Sequence, residues 1–502
     1  MIDKIIDNPR GYNRKLFSQP RVFAGFAIIG LFLSYFSSTA LGSDSQERTV
    51  SLKDQKSVSV TIYNTNLALI KDLRNVTFNA GVNRLALRGV SAKIRPQTAL
   101  LKLVKPMQGF HVLEQNFDFD LLSPAKLLEK YVGRNVQVIT QHPTTGVEIR
   151  ESAVVLSANS GVVLKIGDRI ETGHPGRLVF DNVPKTLRDK PTLSVYLKSP
   201  KSTSAELELS YLTGGLSWKA DYVGKLDNTE KFLDLNGWVT LTNRSGTPFK
   251  QAKLQLVAGD VNRVTAIKRA LPKSYMARTL VMEDAAPSMQ QEKLFDYHLY
   301  TLSHPTTIRD NQSKQVALLS ATEIPVHKQY SLGGQQYYYQ RKLGDFERKL
   351  KIGVFVSFEN LKASHLGIPL PAGVVRIYKG DSQGGAQFIG EDRVDHTPKN
   401  EKVNLKLGNA FDLTAHKKQT KFNKKPGFSK HNYTIESNYE ITLKNAGSKP
   451  VTITVIEPIP GDWTMISQSH PHKKSQAHTA TWQIQVPAEG KTVLSYGVRV
   501  KI

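Results

Sequence analysis

Tyr439-Glu-Ile-Thr-Leu443, Val451-Thr-Ile-Thr-Val-Ile456, Thr481-Trp-Gln-Ile-Gln-Val486 and Val493-Leu-Ser-Tyr-Gly-Val-Arg-Val500 decide the fold class. In each, apolar and polar side chains alternate with a period of two, which predicts half-buried β-strands. Leu443-Lys-Asn445-Ala-Gly447-Ser-Lys-Pro450 leads from the first strand to the second through Asn, a Gly-containing turn and Pro. Leu241-Thr-Asn243-Arg-Ser-Gly246-Thr-Pro248 repeats that order upstream. A strand, a turn of this kind and a second strand look like one hairpin of an immunoglobulin-like sandwich. The chain is therefore predicted to be all-β, with tandem immunoglobulin-like β-sandwiches.

The same alternation recurs toward the N-terminus. Val58 to Tyr63, Leu67 to Ile70, Val76 to Phe78 and Val82 to Leu87 predict an N-terminal β domain over 43–105. Ser123-Pro124 then opens the best helix candidate, with Ser123 as cap, Pro124 in the first turn and Leu127, Leu128 and Tyr131 on one face. Short strands follow at Val136 to Thr140, Ala153 to Leu156, Val162 to Ile166 and Leu178 to Phe180, which suggests a small inserted β-barrel within 106–190. A β-sandwich is expected over 191–264, a linker or long loop over 265–295 where the pattern fails, and a C-terminal β-sandwich region over 296–502.

Residues 1–42 read as an address. Lys4, Arg10, Arg14, Lys15 and Arg21 precede an apolar run from Val22 to Phe36, and Ala40 and Gly42 fit a small-residue cleavage rule. The alternative is an uncleaved anchor helix, for which about fifteen residues is short against the roughly twenty that span a bilayer. Either way the remainder is expected outside the cytoplasm, in the periplasm or at the outer membrane, with membrane contact through this segment. The chain has no cysteine, which excludes disulfides, thiolate metal sites, cysteine nucleophiles and a lipoprotein anchor. Its net charge of +25 implies an anionic partner. An envelope polymer, a lipid surface or an envelope protein is expected, and export argues against nucleic acid.

Further stretches carry a resemblance. Leu212-Thr-Gly-Gly-Leu-Ser-Trp-Lys-Ala-Asp-Tyr222, Leu235-Asn-Gly-Trp238-Val-Thr-Leu-Thr-Asn243 and Gln255-Leu-Val-Ala-Gly-Asp260 resemble a family of bacterial exported proteins. Tyr297-His298-Leu-Tyr300, Gly390-Glu-Asp392, His396-Thr-Pro398 and Gly461-Asp-Trp463 are similar to the same family. The shared C-terminal domain of that family is a domain of unknown function, related to mucoidy-inhibitor A-like proteins. The likeness covers roughly Leu193 to Ile502. It implies an envelope location and β architecture, and it transfers no catalytic residue.

Lys417, Lys418, Lys421, Lys424, Lys425 and Lys430, interleaved with Phe422, Phe428 and Tyr433, form the foremost binding candidate. Lysines there would pair with phosphate or carboxylate, while the aromatics stack on sugar rings or sit in a lipid interface. The competing reading is a solvated loop. Asp392, Asp395 and His396, beside Glu391, form the alternative cluster, because acid–base chemistry needs carboxylate and imidazole held together. That cluster is the basis of a rival reading as a hydrolase of envelope glycan or peptide. Gly380-Asp-Ser382-Gln-Gly384 spells a nucleophile-elbow pattern, but strands flank it on both sides, so a hairpin turn is expected. His470, His472 and His478 sit among Lys473 and Lys474 with no adjacent carboxylate, and read as a polar loop. Trp218, Trp238, Trp463 and Trp482 lie in strand-like contexts and are expected to pack in cores. No phosphate loop, zinc motif, dinucleotide fingerprint or calcium loop is present, so no cofactor or metal is expected.

Overall fold

The computed structural model describes residues 46–259 and 289–501, apart from 65, 119, 174–175, 185, 295–296, 344–346 and 427–432. The signal or anchor segment lies outside the described residues, as does most of the expected linker. The last residues of that linker, Met289–Leu294, are a strand paired with Tyr297–Leu302. The described chain is all-β, with five sheets and one α-helix, Pro124–Lys130. No helix among the described residues is long and apolar enough to cross a membrane.

One large core takes its side chains from four sheets. Leu67–Phe78 buries alternate residues along most of its length and is paired on both edges. Gln55–Tyr63 supplies one and Thr203–Thr213 the other, both antiparallel. Phe249–Ala258 then adds to Gln55–Tyr63 in parallel. Stretches 43–105 and 191–264 thus interdigitate in one sheet and share one core instead of standing as consecutive domains. Parallel and long-range pairing leaves no mark on local periodicity, which is why the sequence suggested a boundary near residue 105.

The small insertion is an open sheet rather than a closed barrel. Its order is Arg169–Thr172, Val163–Ile166, Glu148–Ser157, Asn135–Gln141, Arg177–Val179, and the two outer strands do not pair with each other. The helix explains this. Leu127, Leu128 and Tyr131 pack on Val136, Val138, Val155 and Leu164, so the helix covers the apolar face that closure would otherwise bury. Ser123 caps that helix, its Oγ accepting from the Lys126 N–H at 3.2 Å.

A second core lies under a nine-stranded C-terminal sheet. Two of its strands serve both cores. Lys402–Pro426 gives Val403 and Leu405 to the first core and Leu413 and Ala415 to the second. Its neighbour Glu347–Glu359 gives Phe358 to the first and Ile352 to the second. Their register shifts twice, between Lys351 and Gly353 and between Val354 and Phe355, where Val354 faces Gly408. Such bulges bend a strand and redirect its side chains. That change of direction lets one strand serve two cores.

The repeated hairpin is real at the atomic level. Asn243 is fully buried, donating to the carbonyls of Thr247 and Arg309 at 3.0 Å each and accepting from the Ser245 N–H at 3.0 Å. Asn445 is also buried, donates to the carbonyls of Lys449 and Pro487 at 2.8 and 3.0 Å, and accepts from the Gly447 N–H at 2.9 Å. In both, one amide closes the turn and ties it to a neighbouring segment, because an Asx side chain substitutes for backbone in a turn.

Candidate functional site

The lysine-rich segment is strand up to Pro426, and its alternation divides it between two faces. Phe428 and Lys430 lie outside the described residues. Leu413, Ala415 and Lys417 point inward, whereas Thr414, His416 and Lys418 point outward. A register shift between Gln419 and Lys421 then resets the alternation. Lys421 and Lys425 continue the outer face, opposite Asn438 and Thr434. Phe422 and Lys424 face the inner side, opposite Ser437 and Ile435, and the Lys424 ammonium stands 3.8 Å from the centre of the Tyr433 ring.

Lys417 is removed from solvent, so it is no part of a binding surface. Its side chain is 1% exposed and its Nζ lies 2.7 Å from Glu457 Oε1, also 1% exposed. Four tyrosine rings enclose it, with Tyr338 and Tyr439 centred 4.4 and 4.7 Å away and Tyr339 and Tyr496 slightly further. Nζ also donates to Tyr496 Oη at 3.1 Å, and Tyr339 Oη donates to Glu457 Oε2 at 2.7 Å. Burial pushes the lysine below its usual range, opposed by Glu457. Burial likewise pushes the hydroxyls of Tyr339 and Tyr496 well up. A charge enclosed in this way is tolerated because every polar atom has a partner and the ring faces are negative.

The outer face of the same sheet is basic. Strand register places Lys351 beside Thr414 and Lys444, and Lys444 directly opposite Lys491. One step along, Lys349 neighbours His416, and beyond it Lys418 faces Glu440. Lys349, Lys351, Lys418, Lys421, Lys444 and Lys491 are all exposed, and none forms an ion pair among the described residues. Of the carboxylates on this side, Glu436 is engaged by Arg499 at 2.9 Å and Lys425 at 3.7 Å. The Arg499 hydrogen bond is the main cause of its lowered pKa. At one end Lys444 and Lys491 border a cleft with Asp412, Glu489 and Phe411, whose ring is 96% exposed. Like charges directly opposite across a strand pair are destabilising, so Lys444 and Lys491 repel each other on this face.

The other sequence candidates do not converge. Asp392 spends its carboxylate on backbone, accepting from the N–H groups of Arg393 at 2.8 Å and Lys406 at 2.7 Å. His396 Nδ1 accepts from the Ala372 N–H at 3.2 Å, and its Nε2 lies 3.3 Å from Asn64 Nδ2. Asp395 is exposed and touches neither through its carboxylate among the bonds described. Ser382 sits in a hairpin turn whose Asp381 accepts from the N–H groups of Gln383 and Gly385. His470, His472 and His478 go separately to Ser469, Gln468 and the Gly461 carbonyl. No group of three His, Asp or Glu among the described residues is placed to hold a metal ion. Trp218, Trp463 and Trp482 are core residues, and Trp238 is half-buried.

A family model for a domain of unknown function, DUF4139, matches residues 207–502. The chain belongs to this family. The DUF4139 domain therefore holds the whole nine-stranded sheet, its basic outer face and the buried Lys417 cage. It also takes in Thr213 to Gly215, where Gly215 lies against Arg244 and Ser245 of the Asn243 turn. Comparison with curated proteins finds no match. Strands Leu67–Phe78 and Gln55–Tyr63 lie outside the match, although they complete the first core of the DUF4139 domain.

Proposed function

We propose that this DUF4139 protein is an exported cell-envelope protein that binds an anionic envelope polymer or lipid surface without chemistry, through the outer face of its C-terminal sheet. The observation that carries this reading is the set of six exposed lysines, without ion pairs among the described residues, on one side of four adjacent strands. Aligned cations on a rigid sheet attract a polyanion over a Debye length and hold it without a pocket. Phe411 at the edge of the face offers a ring on which a sugar can stack. The basic leader followed by an apolar run supports export. Hydrolysis of envelope glycan or peptide is the weaker reading, because Asp392, Asp395 and His396 do not form an acid–base pair.

The test is co-sedimentation of the protein with lipopolysaccharide, peptidoglycan and acidic exopolysaccharide at low and high salt. Retention on at least one polymer at low salt, released at high salt, is expected. Absence from all three at low salt contradicts the proposal.

A further inference from the structure

A second basic site lies away from that sheet, on the first core. Ser51 to Ser57, Arg88-Gly89, Lys190 and Pro248 to Gln251 enclose a cleft of about 560 Å³. Lys53, Lys56, Arg88, Lys190 and Lys250 line it, and no carboxylate does. Lys56 and Arg88 are paired outward to Glu206 and Asp189. Lys53, Lys190 and Lys250 are exposed and have no ion-pair partner among the described residues. Three uncompensated cations converge here from segments far apart in sequence.

The walls are held from beneath by a buried ion pair. Arg74 and Asp72 are 1% and 4% exposed and 2.7 Å apart. The Arg74 Nη1 donates at 2.8 Å to two carbonyls, those of Val50 and Arg88, which sit at the roots of the two walls. Gln55, itself a lining residue, donates to Asp72 at 2.8 Å. An ion pair costs desolvation when buried and is weak evidence of stabilisation. What it does here is fix the two backbone segments that carry Lys53 and Arg88. Opposite them, Gln251 adopts φ +47° in a register break between Phe249 and Ala252, and this left-handed kink carries Lys250 and Gln251 into the cleft wall. Non-glycine residues in that region are strained, and strain of this kind concentrates at ligand sites.

We infer that this cleft binds a phosphomonoester, and that a phosphorylated sugar is the ligand class it fits. A phosphomonoester carries nearly two negative charges near neutral pH and three strong acceptors, which matches three unpaired ammonium groups. The volume falls in the range of about 300–1,000 Å³ that holds small ligands, with room beyond one phosphate. Ser57 and Gln251 supply neutral hydrogen-bonding groups for sugar hydroxyls. The same phosphate chemistry occurs free or as the head group of a lipid.

The experiment is titration calorimetry of the full chain with inorganic phosphate, glucose 6-phosphate and glucose. Binding to vesicles of phosphatidic acid is compared with binding to vesicles of phosphatidylcholine. Glucose 6-phosphate is expected to bind more tightly than inorganic phosphate, with no binding of glucose. The double variant Lys53→Glu/Lys250→Glu is expected to lose at least tenfold in affinity. Lys165→Glu/Lys225→Glu, on exposed sites elsewhere, is expected to match wild type. Circular dichroism checks that each variant is folded. Binding to phosphatidic acid vesicles alone, lost in the same variant, supports the inference with a lipid as the source of the phosphate. No binding to any phosphate probe, or binding unchanged in Lys53→Glu/Lys250→Glu, overturns it.

Discussion

At the scale of single residues, Lys417 shows what a strand does to a charge. Removing its ammonium leaves Glu457 buried and unpaired, which costs about 3–5 kcal/mol. Lys417→Met is therefore expected to lower unfolding stability by about that amount in urea titrations. Lys417→Met/Glu457→Leu is expected to recover much of the loss, because an apolar pair of similar volume replaces buried ions at little cost. A double variant as unstable as the single one contradicts this. The position of Lys417 was legible in parity alone, since Leu413, Ala415 and Lys417 recur at every second residue and the first two are apolar. The run of lysines obscured it, because charge density reads as surface. Glu457 and the tyrosines lie far from Lys417 in sequence, and no local pattern announces them.

At the scale of elements, turns and edges carry the specificity of pairing. Gly215 has φ +85°, and a Cβ there would lie 2.6 Å from the Arg244 carbonyl oxygen. Gly215→Ala is expected to cost at least about 1–3 kcal/mol from the backbone conformation alone, read as a lowered thermal midpoint. An unchanged midpoint contradicts the tight turn. The edge strand Arg48–Val50 depends on Glu47, which accepts from Arg188 at 2.6 and 2.9 Å. That hydrogen bond is the main reason the Glu47 carboxyl titrates below its usual value, with burial opposing it and Arg84 assisting. A depressed carboxyl pKa stabilises the fold above the unfolded value of about 4.3, and the contribution disappears as pH falls through the folded value. Wild type is thus expected to be more stable than Glu47→Gln at neutral pH, with the gap closing below about pH 4. A gap independent of pH contradicts the ion pair. Strands and the Ser123 cap were legible because each rests on local alternation or a local hydrogen bond. The closed barrel was not the outcome, because the helix that replaces closure acts through packing of Leu127, Leu128 and Tyr131.

At the scale of the whole molecule, the chain folds back on itself more than its sequence suggests. The strand Leu67–Phe78 pairs with Thr203–Thr213, and Lys402–Pro426 links two cores, so the boundary expected near residue 105 does not separate two cores. The basic outer face has the same origin. Lys418 and Lys421 stood out in the sequence, whereas Lys349, Lys351, Lys444 and Lys491 join them only through strand register. Charge that is scattered along the chain becomes one surface in the fold. The measurement that bears most directly on the proposed function is polymer affinity as a function of salt, for wild type and for Lys349→Glu/Lys351→Glu/Lys418→Glu/Lys421→Glu. Lipopolysaccharide, peptidoglycan and acidic exopolysaccharide serve as ligands, with Lys105→Glu/Lys165→Glu/Lys201→Glu/Lys225→Glu, on exposed sites elsewhere, as the charge-matched control. We expect wild type and control to bind with affinity that falls steeply as salt rises, and the four-site variant to bind weakly at every salt concentration. Equal affinity and equal salt dependence in all three proteins would contradict the assignment of the outer face as the binding surface.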